Sequence, residues 1–482
     1  MPLFVIMEFS QISVSLQVSK FIAMILNIEN LGVVKKAQID LSKKFIVFCG
    51  KNNTGKTYTS YILQAFLTPN GVIHPQDCYK TIFEQLQTDG TFKIKKEYID
   101  EWLAFTCGDL RGQIGNIFGI SDVTSKKLFN NLMITAEYSE EDYMNSLNDP
   151  IDISMKDGNT TVKIKKNADS DIVSLECNPV AFDHRNMRAW RYIYVIMRIL
   201  AFRTAYGARM LTVERNSIYT FKTELSLSRN ELIDKIQQQA NNPKIDILDI
   251  VNSSSRRYPQ PIRDSLRIAN DLSNVQKYVS PYSEIADIIE TKLLQGKVDT
   301  TKEGEVEFHA DGMSKTKRLP FHMSSSIVKT MASLVIYLRH IAGKGETLII
   351  DEPEMNFHPN VQVWLARIFA LLSAKGLRII VSTHSDYIVR ELNSLIMGGT
   401  LLKKGIKEPT HSLGYNDDML LDYADLSVLF FSQTGKKNNV TIKSLPIDDV
   451  GFAVESIDET ILEQNKRVET LYAALENSLE QQ

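Results

Sequence analysis

An eight-residue segment near the N-terminus constrains this chain more than any other feature. It reads Gly50-Lys51-Asn52-Asn53-Thr54-Gly55-Lys56-Thr57, follows the apolar run 45–49 and precedes residues 58–66, which have helical spacing. In a loop of this pattern, glycines let backbone N–H groups turn towards phosphate oxygens, and the lysine adds positive charge. A buried strand before the loop and a helix after it are the context that the pattern requires. The sequence therefore predicts that residues 50–57, here called the P-loop, bind nucleotide phosphates.

Two P-loop side chains have distinct expected roles. Lys56 places a point charge on the β- and γ-phosphates, and the Thr57 hydroxyl is a ligand for Mg²⁺. The other residues expected to surround ATP are Gly50, Asn52, Asn53, Thr54 and Gly55. The predicted cofactors are thus ATP and Mg²⁺.

A second apolar run, residues 347–350, ends in the acidic pair Asp351-Glu352. A buried strand that delivers an aspartate to the phosphate site supplies the carboxylate that holds Mg²⁺, usually through water. Glu352 is then placed to activate the attacking water as a general base. Taken alone, the pair would also fit a helix cap, because acids favour helix N-termini. Together with the P-loop, the pair predicts hydrolysis of the bound nucleotide.

Two further segments place polar groups at the end of a predicted strand and at the start of a predicted helix. The apolar run 379–381 leads into Ser382-Thr383-His384-Ser385, and an imidazole at a strand end can hydrogen-bond the γ-phosphate or the lytic water. Ser324, Ser325 and Ser326 begin a long amphipathic helical pattern. Serine is a common helix cap, and these hydroxyls at the positive helix end can also bind the γ-phosphate of a nucleotide held by a second subunit.

Composition excludes several classes of protein. The chain has 482 residues and a formal net charge of −3, so nothing attracts it globally to nucleic acid or to an anionic membrane. Its four cysteines are scattered without a CxxC pair, which argues against a zinc site and suits a reducing cytosol. The most apolar stretch, residues 192–202, is far shorter than the roughly 20 residues of a membrane span. We therefore expect a cytoplasmic protein that does not enter a membrane.

The order of the motifs resembles the head of ABC-type ATPases: Walker A, a serine-rich signature at residues 323–326, Walker B and a histidine switch. Because about 300 residues without coiled-coil pattern separate the P-loop from the acidic pair, the chain is similar to the SMC/RecF-like and OLD-like group. That group includes compact ATPases of bacterial anti-phage defence. Their Glu-Pro-Glu-x-x-Leu-His-Pro stretch is similar to residues 352–359, and their Pro-Ala-Glu-Arg segment to residues 212–215. The resemblance implies that Arg215 lies near ATP.

The resemblance also implies a fold and partners. We expect an α/β, ABC-type P-loop ATPase head with a mixed sheet, interrupted by a largely helical insertion. Two such heads would enclose ATP in a homodimer or higher homo-oligomer, each site completed by the partner's signature serines Ser324, Ser325 and Ser326. The chain resembles the ATPase subunit of Septu-type or PARIS-type systems, whose nuclease is a separate protein with an HNH or TOPRIM domain. DNA or a phage protein would be the trigger.

These considerations divide the chain into five parts. Residues after 393 are too few for a TOPRIM domain with linkers, so we expect no nuclease domain in this chain. The expected parts are an N-terminal extension 1–23, the ATPase head 24–227 and 300–400 with a helical insert at about 76–148, a helical lid 228–299, and a C-terminal partner-binding region 401–482.

Two other functions remain open from the sequence. A DNA-repair or chromosome-maintenance ATPase that clamps DNA directly would need a basic inner surface and salt-sensitive duplex binding. A transporter ATPase would need a membrane partner, and the long insertion together with the altered signature disfavours it.

Overall fold

The computed structural model describes residues 13–14, 24–68, 77–157, 160–176, 187–204, 207–222, 258–314, 318–434 and 439–479. Nearly all of the expected extension 1–23 and the part of the expected lid before residue 258 lie outside these ranges.

The strands and helices are numbered here in chain order. The strands are β1 Ser13–Val14, β2 Met24–Leu31, β3 Val34–Asp40, β4 Phe45–Gly50, β5 Thr91–Lys93, β6 Met133–Tyr138, β7 Ile151–Asp157, β8 Thr160–Lys166, β9 Ile172–Glu176, β10 Ala208–Leu211, β11 Gly296–Thr300, β12 Val306–Ala310, β13 Leu319–Pro320, β14 Thr347–Asp351, β15 Arg378–Ser382, β16 Leu426–Thr434 and β17 Asn439–Leu445. The helices are α1 Lys56–Leu67, α2 Asp77–Asp89, α3 Lys96–Gly112, α4 Ile114–Phe118, α5 Asp122–Phe129, α6 Glu140–Asn148, α7 Met187–Phe202, α8 Arg215–Ile218, α9 Gln260–Asn270, α10 Leu272–Val275, α11 Ser283–Ile289, α12 Ser326–His340, α13 Pro359–Ala374, α14 Asp386–Lys403, α15 Glu408–Ser412 and α16 Glu455–Leu479.

A nine-stranded mixed sheet organises the described residues, in the order β10-β14-β15-β4-β16-β17-β3-β2-β6. The first five strands are mutually parallel. Strands β3, β2 and β6 pair antiparallel in that order, and β3 joins this parallel part through β17. The carboxyl ends of β4, β14 and β15 therefore meet at one edge of the sheet, which is where ligands bind in open α/β folds. The mixed α/β architecture expected from the sequence is confirmed.

Both faces of this sheet are covered, as an all-buried parallel strand requires. Along β4, Ile46 and Phe48 join a hydrophobic core with helices α1, α3 and α7. Phe45, Val47 and Cys49 point to the opposite face and join a second core with helices α12, α13 and α14. The continuous apolar run in the sequence thus reflects a strand buried on two sides.

Two smaller antiparallel sheets flank the main one. The first has the order β1-β7-β8-β9-β5, and the second has the order β11-β12-β13. The expected helical insert at about 76–148 is mainly helical, but its strands β5 and β6 join two different sheets. The described part of the expected lid, residues 258–299, contains α9, α10 and α11 and ends in β11.

The main sheet extends beyond the expected head boundary at residue 400. Strand β16 lies directly beside β4, and β17 pairs with both β16 and β3. Phe431 of β16 is buried and its ring centroid lies 5.3 Å from that of Phe48. Residues 426–445 therefore belong to the head, and its boundary lies beyond them. The sequence does not indicate this extension of the head, because strand pairing over such a long separation leaves no local pattern.

The last described helix, α16, is exposed to solvent along most of its length. It comes after the buried Phe452 and Val454, and Ile457 still packs against the second core. From Leu462 onwards, every residue whose side chain is described is exposed. In the described part of the chain, no helix combines the length and apolarity needed to cross a membrane.

Candidate functional site

The P-loop leaves the carboxyl end of β4 and turns into α1 at Gly55. Gly55 is the residue before the helix and has φ +91°, a backbone conformation that side chains disfavour. A Cβ at this position would lie 2.6 Å from Cγ2 of Val34, which sits on the neighbouring antiparallel part of the sheet. The loop is thus packed tightly against β3, and only glycine fits the turn.

Lys56 opens α1 and its side chain folds back under the loop. Its Nζ donates hydrogen bonds of 2.9 Å to the carbonyl oxygens of Gly50 and Lys51. The residue is 6% exposed. Burial lowers the pKa of Lys56, while the nearby carboxylates of Asp351 and Glu352 oppose the shift. A desolvated ammonium group at this place binds an anion more strongly than one in water.

Thr57 and Asp351 bring together the two oxygen donors expected for Mg²⁺. The Thr57 hydroxyl donates a 2.7 Å hydrogen bond to Oδ2 of Asp351, and the Ser382 hydroxyl donates to Oδ1 of the same carboxylate. Asp351 and Ser382 are register partners at the ends of β14 and β15. Hydroxyl and carboxylate oxygens are the hard ligands that Mg²⁺ prefers, so this donor pair fits the ion. No group of three or more His, Cys, Asp or Glu side chains in the described residues forms an alternative metal site.

Glu352 has an unusual backbone conformation. Its φ is +44°, in the left-handed region, and its N–H donates a 3.0 Å hydrogen bond to the Ser382 carbonyl oxygen. Non-glycine residues in this region occur preferentially at functional sites, where the surrounding structure holds them. The Glu352 side chain is 40% exposed, which leaves it accessible to water.

His384 faces the same edge of the sheet as Glu352. Its Nε2 lies 3.9 Å from Oε1 of Glu352 and has no hydrogen-bond partner among the described residues. Burial, reinforced by the positive charge of Lys56 and opposed by Asp351, lowers the pKa of His384 to about 4. The imidazole is therefore neutral at physiological pH. Ser385 caps α14 by accepting a hydrogen bond from the Ile388 N–H, which fixes the turn that presents His384.

Glu354 is a residue of the site whose role the sequence did not assign. Its Oε1 accepts hydrogen bonds from the His384 N–H at 2.6 Å and from the Thr383 hydroxyl at 2.9 Å. Burial raises the pKa of Glu354, and its Oε2 has no partner among the described residues. Glu354 thus ties the segment after β14 to the segment after β15. The only sequence signal was its place in the Glu-Pro-Glu stretch.

The signature serines stand where β13 and a short 3₁₀ turn lead into α12. Ser324 is buried, and its Oγ has no hydrogen-bond partner in the described part of the chain. Ser325 is the residue before the helix, but its side chain makes no capping hydrogen bond. Ser325 and Ser326 are both exposed. The simple capping role is therefore absent in the described residues, and a contact with a second subunit's nucleotide stays a prediction.

Arg215 lies beside the acidic pair. Its Nη1 donates to the carbonyl oxygens of Thr212 at 3.0 Å and Asp351 at 2.7 Å, and its Nη2 donates to that of Glu352 at 2.7 Å. Arg215 is 3% exposed. Its expected contact with ATP stays a prediction, whereas its contacts with the backbone of the acidic pair are present.

The site as a whole fits a nucleoside triphosphate with its metal. The P-loop offers backbone groups and a buried ammonium, the Thr57–Asp351 pair offers oxygen ligands, and unpartnered polar atoms remain on Ser324, Glu354 and His384 among the described residues. Such a loop between a parallel strand and a helix, with an acidic strand end beside it, defines a P-loop ATPase.

Comparison with known proteins identifies the family of this ATPase. The model of the AAA ATPase domain family, AAA_15, matches residues 24–389, and the chain belongs to that family. The match covers β2 to the start of α14 and so includes the P-loop, the acidic pair and His384. Membership implies nucleotide binding and ATP hydrolysis. No curated protein matches the chain significantly.

Solved structures of SMC heads are among those similar to this chain. One is the Smc head domain from Pyrococcus furiosus, with an extended coiled coil and bound to the C-terminal domain of ScpA. It has 12% identity, a TM-score of 0.34 and coverage of 92% of this chain and 99% of that chain. Another is the SMC head domain from Thermotoga maritima, with 8% identity, a TM-score of 0.30 and coverage of 89% and 100%.

Proposed function

We propose that this chain is the ATP-hydrolysing sensor and scaffold subunit of a bacterial anti-phage defence system, and that it controls a separate nuclease or toxin. The observation that carries the enzymatic part is the 2.7 Å contact between Thr57 and Asp351, next to Glu352 and His384. This contact unites two motifs that are far apart in the sequence. The defence role rests on the resemblance of residues 352–359 and 212–215 to segments of ATPases of such systems.

Each residue of the site has a defined task in this proposal. Lys56 holds the β- and γ-phosphates, and Thr57 with Asp351 holds Mg²⁺. Glu352 is exposed enough to reach a water molecule and accepts its proton as general base. His384 is neutral, so its Nε2 can bind the γ-phosphate or the water without adding charge. Mg²⁺, when bound, offsets negative charge on the phosphate oxygens.

Two subunits complete each site in this proposal. The exposed Ser325 and Ser326 and the N-terminus of α12 are available to a second molecule, and the Oγ of Ser324 has no partner among the described residues. A 15-residue helix carries a partial positive charge at its N-terminus that favours a phosphate. We infer that this end of α12 binds the γ-phosphate of the nucleotide on the partner subunit. The functional unit is then a homodimer or a higher homo-oligomer.

Substitution of the general base tests the enzymatic proposal. We expect Glu352→Gln to keep ATP affinity but to lower turnover about 100-fold or more, because the amide cannot accept the proton. ATP should then accumulate closed dimers, visible by light scattering after gel filtration. Lys56→Ala is the matched control, which should lose both ATP binding and dimers. Wild-type turnover of Glu352→Gln would exclude Glu352 as the base.

The proposed effector-binding surface is α16. The side chains of Leu471 and Leu475 are 66% and 62% exposed and, with Val468, lie on one face of the helix. The helix carries six acidic and two basic residues. An apolar stripe on an acidic helix fits an apolar groove with basic edges on the effector protein. This narrows the expected partner-binding region 401–482 to its last segment.

Co-purification with the adjacent gene product tests the effector proposal. We expect that gene to encode an HNH or TOPRIM protein, and Leu471→Glu to abolish its binding and phage protection. Leu462→Glu is a matched control, because Leu462 is 67% exposed but points about 120° away from Val468. An adjacent permease would contradict the defence role. ATP-dependent, salt-sensitive binding of duplex DNA by the chain alone would favour a DNA clamp instead.

A further inference from the structure

The buried guanidinium of Arg215 contacts both peptide carbonyls of the acidic pair. Nη1 donates 2.7 Å to the Asp351 oxygen and Nη2 donates 2.7 Å to the Glu352 oxygen. This fork geometry suits a planar guanidinium and could not be reproduced by a single ammonium group. Burial lowers the pKa of Arg215 to about 10, so the group is still charged at neutral pH. A buried charge of this kind is retained only when it is well hydrogen-bonded.

These contacts act on a residue whose backbone is strained. Glu352 has φ +44°, and this left-handed conformation persists only where neighbouring groups hold it. Its N–H is bound by the Ser382 carbonyl oxygen at 3.0 Å, and its own carbonyl oxygen is bound by Arg215. The peptide groups on both sides of Glu352 are therefore fixed. This backbone conformation sets the direction of the Glu352 side chain.

Arg215 also contacts the helix that carries the signature serines. The Ser333 hydroxyl donates a 3.2 Å hydrogen bond to the Arg215 carbonyl oxygen, and both groups are buried. Ser333 lies on α12, seven residues or about two turns beyond Ser326. One residue on the short helix α8 thus contacts the strand end that carries Glu352 and the helix that begins with Ser326.

We propose that Arg215 is a positioning residue for Glu352 and that it links the orientation of Glu352 to the position of α12. In this proposal Arg215 acts through the backbone carbonyls of the acidic pair, and not through a contact of its own with ATP. When α12 binds the partner's nucleotide and shifts, the shift of α12 moves Arg215 through the hydrogen bond with Ser333. Arg215 in turn moves the backbone of Glu352. This inference rests on the proposed function, in which Glu352 is the general base.

Steady-state kinetics and nucleotide binding test the positioning role. We expect Arg215→Gln to lower kcat about 10- to 100-fold, because small displacements of a catalytic group have effects of this size. The Kd for a fluorescent ATP analogue should stay within about twofold. Arg215→Lys should recover part of kcat, because the ammonium reaches one carbonyl, and it replaces the Gln variant if that variant does not fold. Ser217→Ala, on the same helix, should behave as wild type. A rise in the Kd for the ATP analogue that is large enough to account for the lower turnover would overturn the proposal.

A double-mutant cycle distinguishes this inference from the proposed function. If Arg215 acts through Glu352, Arg215→Gln should lower the residual turnover of Glu352→Gln by less than about twofold. An additional loss as large as that in the wild-type background would refute the link while leaving Glu352 as the base. Wild-type turnover of Glu352→Gln alone would instead refute the proposed function. We further expect Ser333→Ala to weaken ATP-induced dimerisation without changing the Kd for the ATP analogue. Unchanged dimerisation of this variant would refute the link between Arg215 and α12.

Discussion

The packing of the P-loop against β3 predicts a specific cost for Gly55→Ala. Gly55 has φ +91°, and Gly376, in the turn before β15, has φ +92°. A Cβ at Gly55 would lie 2.6 Å from Cγ2 of Val34, whereas a Cβ at Gly376 would have nothing within 4 Å. The left-handed conformation costs roughly 1–2 kcal/mol for an alanine at either position. The clash adds roughly 1–3 kcal/mol at Gly55 alone.

Urea unfolding of the two variants without nucleotide isolates this clash. Gly→Ala reduces the freedom of the unfolded chain equally at both sites, so that contribution cancels in the comparison. We expect Gly55→Ala to lose roughly 1–3 kcal/mol more than Gly376→Ala in the free energy of unfolding. In a double-mutant cycle with Val34→Ala, the cost of truncating the buried Val34 alone is subtracted, and the remaining coupling energy between positions 34 and 55 should account for most of this difference. Equal losses at the two glycines would refute the tight packing of the loop.

Three further substitutions test other parts of the structure. Glu354→Ala removes the acceptor of the His384 N–H and the Thr383 hydroxyl. We expect the free energy of unfolding in urea to fall by roughly 2–4 kcal/mol and ATP hydrolysis to become about tenfold slower. Unchanged hydrolysis would argue against positioning of His384 by Glu354. The pKa of His384 is about 4 in the fold against 6.5 in a free histidine, so the unfolded state binds the proton first as pH falls. Relative to His384→Asn, the wild type should therefore lose about 2 kcal/mol of stability between pH 7 and pH 5, and parallel pH profiles would contradict this. Phe431→Ala removes the ring packed on Phe48 and should cost roughly 3–5 kcal/mol, and a loss below about 1 kcal/mol would contradict a shared core.

The elements next to the P-loop and the acidic pair could be predicted because their signals are local. The apolar runs 45–49, 347–350 and 379–381 agree with the strands Phe45–Gly50, Thr347–Asp351 and Arg378–Ser382 to within one residue at each end. Each is an uninterrupted apolar run that ends in polar residues, which is typical of a parallel strand buried on both faces. The parallel arrangement then brings their carboxyl ends together at one edge.

The C-terminal part of the sheet could not be predicted in the same way. Strand β16 pairs with β4, about 380 residues earlier in the chain, and nothing in the local sequence identifies such a distant partner. The contacts of Arg215 could not be predicted for a related reason. Its motif indicates closeness to the site, but the contacts with the carbonyls of Asp351 and Glu352 depend on the pairing of β10 beside β14.

Mixing of two inactive variants tests most directly whether two chains complete one site. Lys56→Ala damages the P-loop and keeps the signature serines, whereas Ser325→Glu keeps the P-loop and repels the partner's γ-phosphate. Each variant alone should be inactive, but an equal mixture forms mixed dimers with one intact site, and turnover should return to roughly a quarter of the wild-type rate. No recovery in a mixture that contains mixed dimers, or full activity of Ser325→Glu alone, would contradict the composite site.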